Sequence, residues 1–364
     1  MKNFINQNKV ISLILLMGVI AVLVRLVGGL GAVSALSDAQ PWGLTKSLNI
    51  LSGAALSAGG SLVATLVYVF GIKKFKPLVR PSLLMGAIAH TFVLGALLYD
   101  VGSPLEVWRI IFAPNIKSIM FLAFLCEAFY TTAVLCEFVP EFVTAPQFKG
   151  IADLMHSFKG PVIVCTAIFA VIHQSTLGAL YVVSVSRIDP LWYSRIMPIL
   201  FLVSAWAAGL AMLVVEAYLS DKSGRRKFDV GVMGAVGNTL AIFLFIYVGI
   251  RFADLAIEGG FGGVGGKGVA SVWFIVEMLC FVLPAVMLLG SKSPKLLYIA
   301  SLLVGLGVVM NRLGVAIVGW HNPAGITYFP SAVEFFVSFC FLLAPIVIYS
   351  YMSGIVIKDE KVTA

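Results

Sequence analysis

Residues 269–289 read VASVWFIVEMLCFVLPAVMLL, with Glu277 as their one charge. At about 1.5 Å per residue, a helix of this length crosses the roughly 30 Å hydrocarbon layer of a bilayer. Comparable runs recur along the chain. Counted by apolar length and flanking breakers, the spans fall at residues 11–33, 48–71, 82–101, 115–138, 159–183, 195–219, 230–257, 269–289, 296–319 and 331–355. Of 364 residues, 60% are hydrophobic and 12% charged, against about 25% charged in a soluble domain. Mean hydropathy is +1.03. The reading is an all-α integral membrane protein of about ten transmembrane helices, and a soluble enzyme is excluded.

Connectors carry breakers at Pro77 and Pro81, Pro104 and Pro114, Pro140 and Pro146, Pro190, Ser293-Pro294 and Asn322-Pro323. Gly259 to Gly268 reads as a flexible loop rather than a phosphate cradle, because no strand precedes it. The first run ends near Ala32-Val33-Ser34-Ala35, a passable signal-peptidase sequence, but it is too long for a signal core and is taken as a span. The five cysteines (Cys126, Cys136, Cys165, Cys280, Cys340) all lie in apolar runs without ligand spacing. They read as packing residues, with no iron-sulfur cluster expected in this chain.

The net charge of +8 would suggest nucleic acid in a soluble chain. Here the basic residues sit in short connectors. Membrane topology and lipid explain them, and no nucleic-acid partner is expected. Sixteen of the 25 lysines and arginines fall at the termini and in the connectors after the even-numbered spans; six fall in the opposite connectors and three inside spans. The bias places both termini in the cytoplasm of a multi-pass inner-membrane protein.

Ionisable residues inside spans each cost roughly 2.5 to 3.5 kcal/mol on insertion scales, so those retained usually face a cavity, a partner or a pathway. The first half carries His90, Asp100, Glu127, His173 and Gln174; the second carries Arg251, Asp254, Glu277, Asn311, Arg312 and Glu334. Asp100 and Asp254 are 154 residues apart, and Glu127 and Glu277 are 150 apart. These offsets hint at a parallel repeat of two four-helix bundles, spans 2 to 5 and 6 to 9. The expected organisation is 1–47 as an N-terminal helix and connector, 48–183 as a first bundle with the site, 195–319 as a second bundle, and 320–364 as a C-terminal helix and tail. For the second-half charges, a buried network fixing helix register weighs equally with a candidate proton pathway. Glu137, Glu141, Asp153 and His156 read as solvated connector charges.

A quinone needs apolar walls plus a few protonatable groups near one membrane face. His173 is the expected proton-exchanging group and Asp100 its acidic partner. Gln174, Glu127 and His90, with the aromatics Tyr99, Trp108 and Tyr130, are the further candidate lining residues. Two alternatives stand beside this. One is a haem b anchor subunit bracketed by His90 and His173; the other is a transporter with parallel repeats.

The stretch Asp100-Val101-Gly102-Ser103-Pro104-Leu105-Glu106-Val107-Trp108 resembles the helix 3 exit motif of the polysulfide reductase membrane-subunit (NrfD-like) family. His173-Gln174-Ser175-Thr176-Leu177-Gly178, Asp189-Pro190-Leu191-Trp192, Arg251 with Asp254, Glu277, Asn311-Arg312, and Gly319-Trp320 through Tyr328-Phe329-Pro330-Ser331 with Glu334 are similar to its ten-helix, HybB-type branch, the membrane subunit of hydrogenase-2-like complexes. The resemblance implies a haem-free subunit that exchanges electrons between menaquinone or ubiquinone and a periplasmic, ferredoxin-like iron-sulfur subunit. That subunit would in turn connect to a catalytic oxidoreductase subunit, a nickel-iron hydrogenase in this branch. Catalysis of the primary reaction would then lie outside this polypeptide. The family's quinone-site acid corresponds to Asp100, and its helix 5 histidine to His173.

The charge bias makes a direct prediction. In a background without native cysteines, an impermeant thiol reagent applied to intact cells should label a cysteine at position 324 and spare one at 226. The opposite pattern would invert the orientation.

Overall fold

The computed structural model describes residues 9–142, 149–266, 268–290, 293–322, 325 and 327–357. Lys2, Pro146, Pro323 and position 324 lie outside the described residues. Among the described residues, ten helices are long and apolar enough to cross a membrane: α1 (Lys9–Gly28), α2 (Lys46–Tyr68), α3 (Lys73–Asp100), α4 (Ile119–Phe142), α5 (Lys159–Val182), α6 (Met197–Lys222), α7 (Val230–Ile257), α8 (Val269–Leu289), α9 (Pro294–Val318) and α10 (Ala332–Val356). Among the described residues there is no strand, only isolated bridges at Ser37 with Gln40 and Ile188 with Trp320. The chain is an all-α, multi-pass integral membrane protein. An even number of spans puts both ends of the described chain on one face, called here the terminal face; connectors after odd-numbered helices form the opposite face.

Packing follows two rings. Helices α2, α3, α4 and α5 contact one another in chain order, and α5 closes back on α2; α6, α7, α8 and α9 repeat the order, with α9 closing on α6. The rings join where α6 meets α2 and α5 and where α9 meets the start of α2. Helix α10 packs along α1 and α3. Helices α2 and α6 are the most buried, and α1 and α10 the least.

Lipid tails are as apolar as leucine, so helices in a bilayer associate through close backbone approach rather than by exclusion from water. The α2–α6 contact is built that way. Both helices carry buried small residues, Ala54, Ala55 and Ala58 on α2 and Ala205, Ala208 and Ala211 on α6. Gly59 meets Gly209 with no room between the backbones: a Cβ on Gly59 would lie 2.5 Å from the Gly209 carbonyl oxygen, and one on Gly209 would lie 2.2 Å from the Gly59 nitrogen. These two glycines are 150 residues apart, the same offset as Glu127 and Glu277.

Several span ends differ from the expectation, each for a local reason. Helix α1 stops at Gly28 rather than 33, because Gly29 turns to φ 78°, a left-handed conformation that only glycine adopts freely. Helix α4 starts at Ile119 rather than 115, since the Ser118 hydroxyl accepts from the Phe121 amide and Asn115 from the Lys117 amide, a local turn that delays the helix. Pro140, read as a connector breaker, lies inside α4 near its end, where a proline removes only a late hydrogen bond. The glycine-rich stretch after α7 is tightened, in its described part, into a 3-10 turn at Gly260–Gly263, whose last carbonyl accepts from the Ser271 hydroxyl at 2.9 Å.

The glycine contact predicts an asymmetric pair of substitutions. Gly209→Val should cost at least about 1 to 3 kcal/mol, because backbone cannot yield. Gly249→Val on α7, with open space around it, should be near neutral. Thermal unfolding of the purified protein in detergent checks this; equal melting temperatures for the two variants would contradict the close contact.

Candidate functional site

The inner face of α4 carries Glu127, Thr131 and Val134 at helical spacing, and that of α5 carries His173, Leu177 and Tyr181, all buried. Gly60 on α2 sits against Ser82 and Gly86 of α3, so these two helices approach closely and bring Ser57 within reach of His90. Glu127 is the hub. His90 Nδ1 lies 3.3 Å from Glu127 Oε1, which also accepts from the Thr131 hydroxyl at 3.1 Å. His173 Nε2 lies 3.0 Å from Glu127 Oε2, close enough to pair but off the line of a good hydrogen bond. His90 Nε2 is 2.8 Å from Ser57 Oγ. Tyr130 sets its ring edge-on to His90 with centroids 4.4 Å apart, and its hydroxyl is 2.7 Å from Ser61 Oγ. His173 Nδ1 has no hydrogen-bond partner among the described residues.

A cavity of about 480 Å³ opens beside this cluster. His173 and Glu127 contribute its deep polar end, and Asp100 with Lys46 another polar group, the Lys46 ammonium standing 3.0 Å from Asp100 Oδ2. Lys46 also donates to the Pro41 carbonyl at 2.8 Å and lies over the Trp42 ring. The remaining wall is mostly apolar, from Ile50, Leu51, Leu97, Phe121, Phe124, Leu177 and Leu180 among others. Helix α2 begins with a π-helical stretch, Lys46–Ser52, a local widening often found where a helix lines a site. Such a slot suits a flat apolar molecule with hydrogen-bonding groups on its ring, and its volume lies within the roughly 300 to 1,000 Å³ of small-molecule pockets.

Asp100 and His173 thus line one cavity, but each has its own partner: Lys46 for the acid, Glu127 for the histidine. His90 and Tyr130 are not among the lining residues; they support Glu127 and His173. Gln174 donates to the Ala54 carbonyl at 2.9 Å and so ties α5 to α2. Tyr99 points to α1 and α10, with Arg25 near its ring and Phe341 packed against it. Trp108 is exposed on the connector after α3. Lys46 escaped the reading from sequence, which counted it only as a connector charge. Its signal was position: a lysine opening a span at the same membrane face as Asp100.

The second ring holds its own polar cluster. Glu277 accepts from Trp192 Nε1 and Asn311 Nδ2, both at 2.8 Å. Asn311 accepts from Arg312 at 2.6 Å, and Arg312 also donates to Ser204 Oγ at 2.9 Å while stacking 3.5 Å over the Phe201 ring. Arg251 pairs with Asp254 at 2.9 Å and donates to the Leu191 carbonyl; Asp254 accepts from Ser194 at 2.8 Å. Trp192 fills this ring. Gly314 and Gly319 leave it room, since a Cβ on either would lie within 2.6 Å of the indole. Glu334, grouped from sequence with these charges, stands elsewhere. It forms a capping box with Ser331 at the start of α10, accepts from the Ala35 amide at 2.9 Å, and accepts from the Tyr328 hydroxyl at 2.6 Å. Tyr328 in turn accepts from the Leu44 amide, two residues before Lys46. Burial and then the bond to Glu334 push the Tyr328 phenol up, so it stays a donor.

A haem b in the first ring would need His90 and His173 as its two axial ligands. His90 has both ring nitrogens engaged, by Glu127 and Ser57, and His173 turns toward the same carboxylate. Two axial ligands must aim free nitrogens at a common iron from opposite sides. This pair does not fit that demand.

Comparison with known proteins gives consistent matches over most of the chain. A protein of Nitratidesulfovibrio vulgaris (strain Hildenborough) is 32% identical over 362 residues, covering 95% of this chain and 92% of its own length. The "Probable Ni/Fe-hydrogenase 2 b-type cytochrome subunit" of Escherichia coli K12 is 27% identical, covering 89% of this chain and 85% of its own length. The "Menaquinone reductase, integral membrane subunit" of N. vulgaris is 26% identical, covering 78% and 74%. Residues 32–324 match the family described as "Polysulphide reductase, NrfD", which takes in both four-helix rings, so the chain belongs to the NrfD family.

Proposed function

We propose that this chain is the quinone-reactive membrane subunit of a respiratory oxidoreductase complex, with its site in the first ring (residues 48–183). One observation carries the reading: a single apolar-walled cavity of about 480 Å³ brings the His173–Glu127 pair and the Asp100–Lys46 pair to the same space. The names of the relatives support it, since one is the membrane subunit of a menaquinone reductase and another belongs to a hydrogenase.

A quinone ring in this cavity, of the menaquinone or ubiquinone type, would take two electrons and two protons on reduction and return them on oxidation. His173 is the group at the deep end that hydrogen-bonds a ring carbonyl and exchanges its proton, because an imidazole can donate at one nitrogen and accept at the other. Glu127 holds that imidazole and balances its charge when it is protonated; His90 and Thr131 hold Glu127. Asp100, nearest the odd-connector face and paired with Lys46 at 3.0 Å, exchanges the second proton. The electrons come from or go to an iron-sulfur subunit docked on the odd-connector face, which the charge bias makes periplasmic in a bacterial inner membrane with both termini cytoplasmic. A nickel-iron hydrogenase is the attached enzyme in the branch this chain resembles. The second-ring cluster is a register-fixing network on this reading, its carboxylates committed to named donors.

Two measurements follow. His173→Ala and Asp100→Asn should each lower quinone-linked turnover at least 100-fold in the assembled complex while leaving activity with a soluble artificial dye intact. Arg251→Ala and Glu277→Ala should instead cost roughly 3 to 5 kcal/mol, as an unpaired buried group does, and reduce the subunit with all activity at the membrane. Normal quinone-linked rates in both His173→Ala and Asp100→Asn would remove the first ring as the site. Separately, the purified chain should show no stoichiometric b-type Soret band in a reduced-minus-oxidised spectrum; such a band would establish haem ligands the first ring does not offer.

A further inference from the structure

Helical backbone leading into α2 begins at Leu44, just ahead of the π-helical stretch, and Gly43 before it acts as the N-cap. The Gly43 carbonyl accepts from the Ser47 amide at 3.1 Å and from the Ser47 hydroxyl at 2.8 Å. An N-cap usually carries a side-chain oxygen that meets one of the free amides of the first turn. Glycine has none, and its space is taken. A Cβ on Gly43 would lie 2.7 Å from Leu36 Cδ2, 2.8 Å from the Tyr328 hydroxyl and 3.0 Å from Glu334 Oε1. The missing acceptor comes from the connector before α10: the Tyr328 hydroxyl accepts from the Leu44 amide at 2.9 Å while donating to Glu334 Oε1 at 2.6 Å.

Glu334 is itself fixed. Its other oxygen accepts from the Ala35 and Ser331 amides, both at 2.9 Å, and the residue is 2% exposed. One turn further along α10, Ser338 Oγ stands 3.3 Å from Thr45 Oγ1. Residues 43 to 45 are therefore seated on the start of α10, a helix outside both rings. Lys46 comes next. Its ammonium reaches back to the Pro41 carbonyl at 2.8 Å and across to Asp100 at 3.0 Å. A lysine stem has many rotamers, and it keeps one direction only where the backbone beneath it is fixed. Trp42, Ile50 and Leu51, which flank Lys46 in sequence, line the same cavity. We propose that Tyr328, held by Glu334, is a positioning residue of the quinone site: it caps α2 from outside the ring and thereby sets Lys46 against Asp100 in the cavity. That the ligand is a quinone rests on the function proposed above; the seating of Lys46 does not.

Two variants loosen the cap in different ways. Tyr328→Phe removes the acceptor and keeps the ring, whereas Gly43→Ala removes no polar group and pushes the same hydroxyl aside. In the full chain in lipid nanodiscs, acetic anhydride should acylate Lys46 severalfold faster in both variants, read by mass spectrometry against the exposed Lys117. An unchanged ratio of Lys46 to Lys117 acylation would overturn the positioning. In the assembled complex, with turnover normalised to dye-linked activity, Tyr328→Phe should lower kcat/KM for quinone about tenfold, and by less than about twofold when Lys46→Met is already present, because the cap acts through the lysine. Effects that multiply in this double-mutant cycle, or a normal normalised turnover in Tyr328→Phe, would also overturn it. Gly43→Ala takes the same place in the cycle if Tyr328→Phe fails to assemble. A wild-type complex without quinone turnover would contradict the proposed function, and the acylation ratio would still decide the seating of Lys46.

Discussion

Glu127 is a carboxylate buried at the centre of a four-helix ring, and the first half of the chain is arranged around that constraint. A lone charge in hydrocarbon costs roughly 2.5 to 3.5 kcal/mol even on lenient scales. Here Glu127 is met from three sides: His90 on α3, Thr131 one turn along its own helix, and His173 on α5. Those contacts fix the register of α3, α4 and α5 together. Ser57 then ties α2 to His90. His173, drawn to the same carboxylate, lines the cavity and keeps Nδ1 without a hydrogen-bond partner among the described residues.

The second ring answers the same problem differently. Glu277 occupies the equivalent place on α8, 150 residues after Glu127, but its donors are an indole and an amide rather than imidazoles. Neither donor titrates in the physiological range. Trp192 takes up the ring interior, with Gly314 and Gly319 shaped around it. One architecture thus carries a cluster built on imidazoles and a cluster built on an indole and an amide, and the Gly59–Gly209 contact joins the two rings that hold them.

The helical class and the number of spans were legible because apolar length is a local property of the chain. The names Asp100, Glu127 and His173 were legible for the same reason: charge is expensive in lipid, so each stands out. What each residue touches was not legible. Asp100 pairs with Lys46, the first residue of a π-helical stretch that opens α2, which no composition signals. Glu334 carries the same intramembrane charge as Glu277 and so looked like part of one network. Its real partners, Ala35 and Tyr328, come from connectors about 300 residues apart in sequence. Trp108 and Tyr99 were assigned to the site as aromatics near its acid, yet side-chain direction put one on the surface and the other against α1 and α10.

The most direct test of the central claim is a structure of the native complex with quinone or a ring-analogue inhibitor bound. The account places the ring in the first-ring cavity, one carbonyl within hydrogen-bond distance of His173 and the head group in reach of Asp100 or Lys46. A head group bound instead in the second ring, or on the terminal face near Glu137, would contradict it.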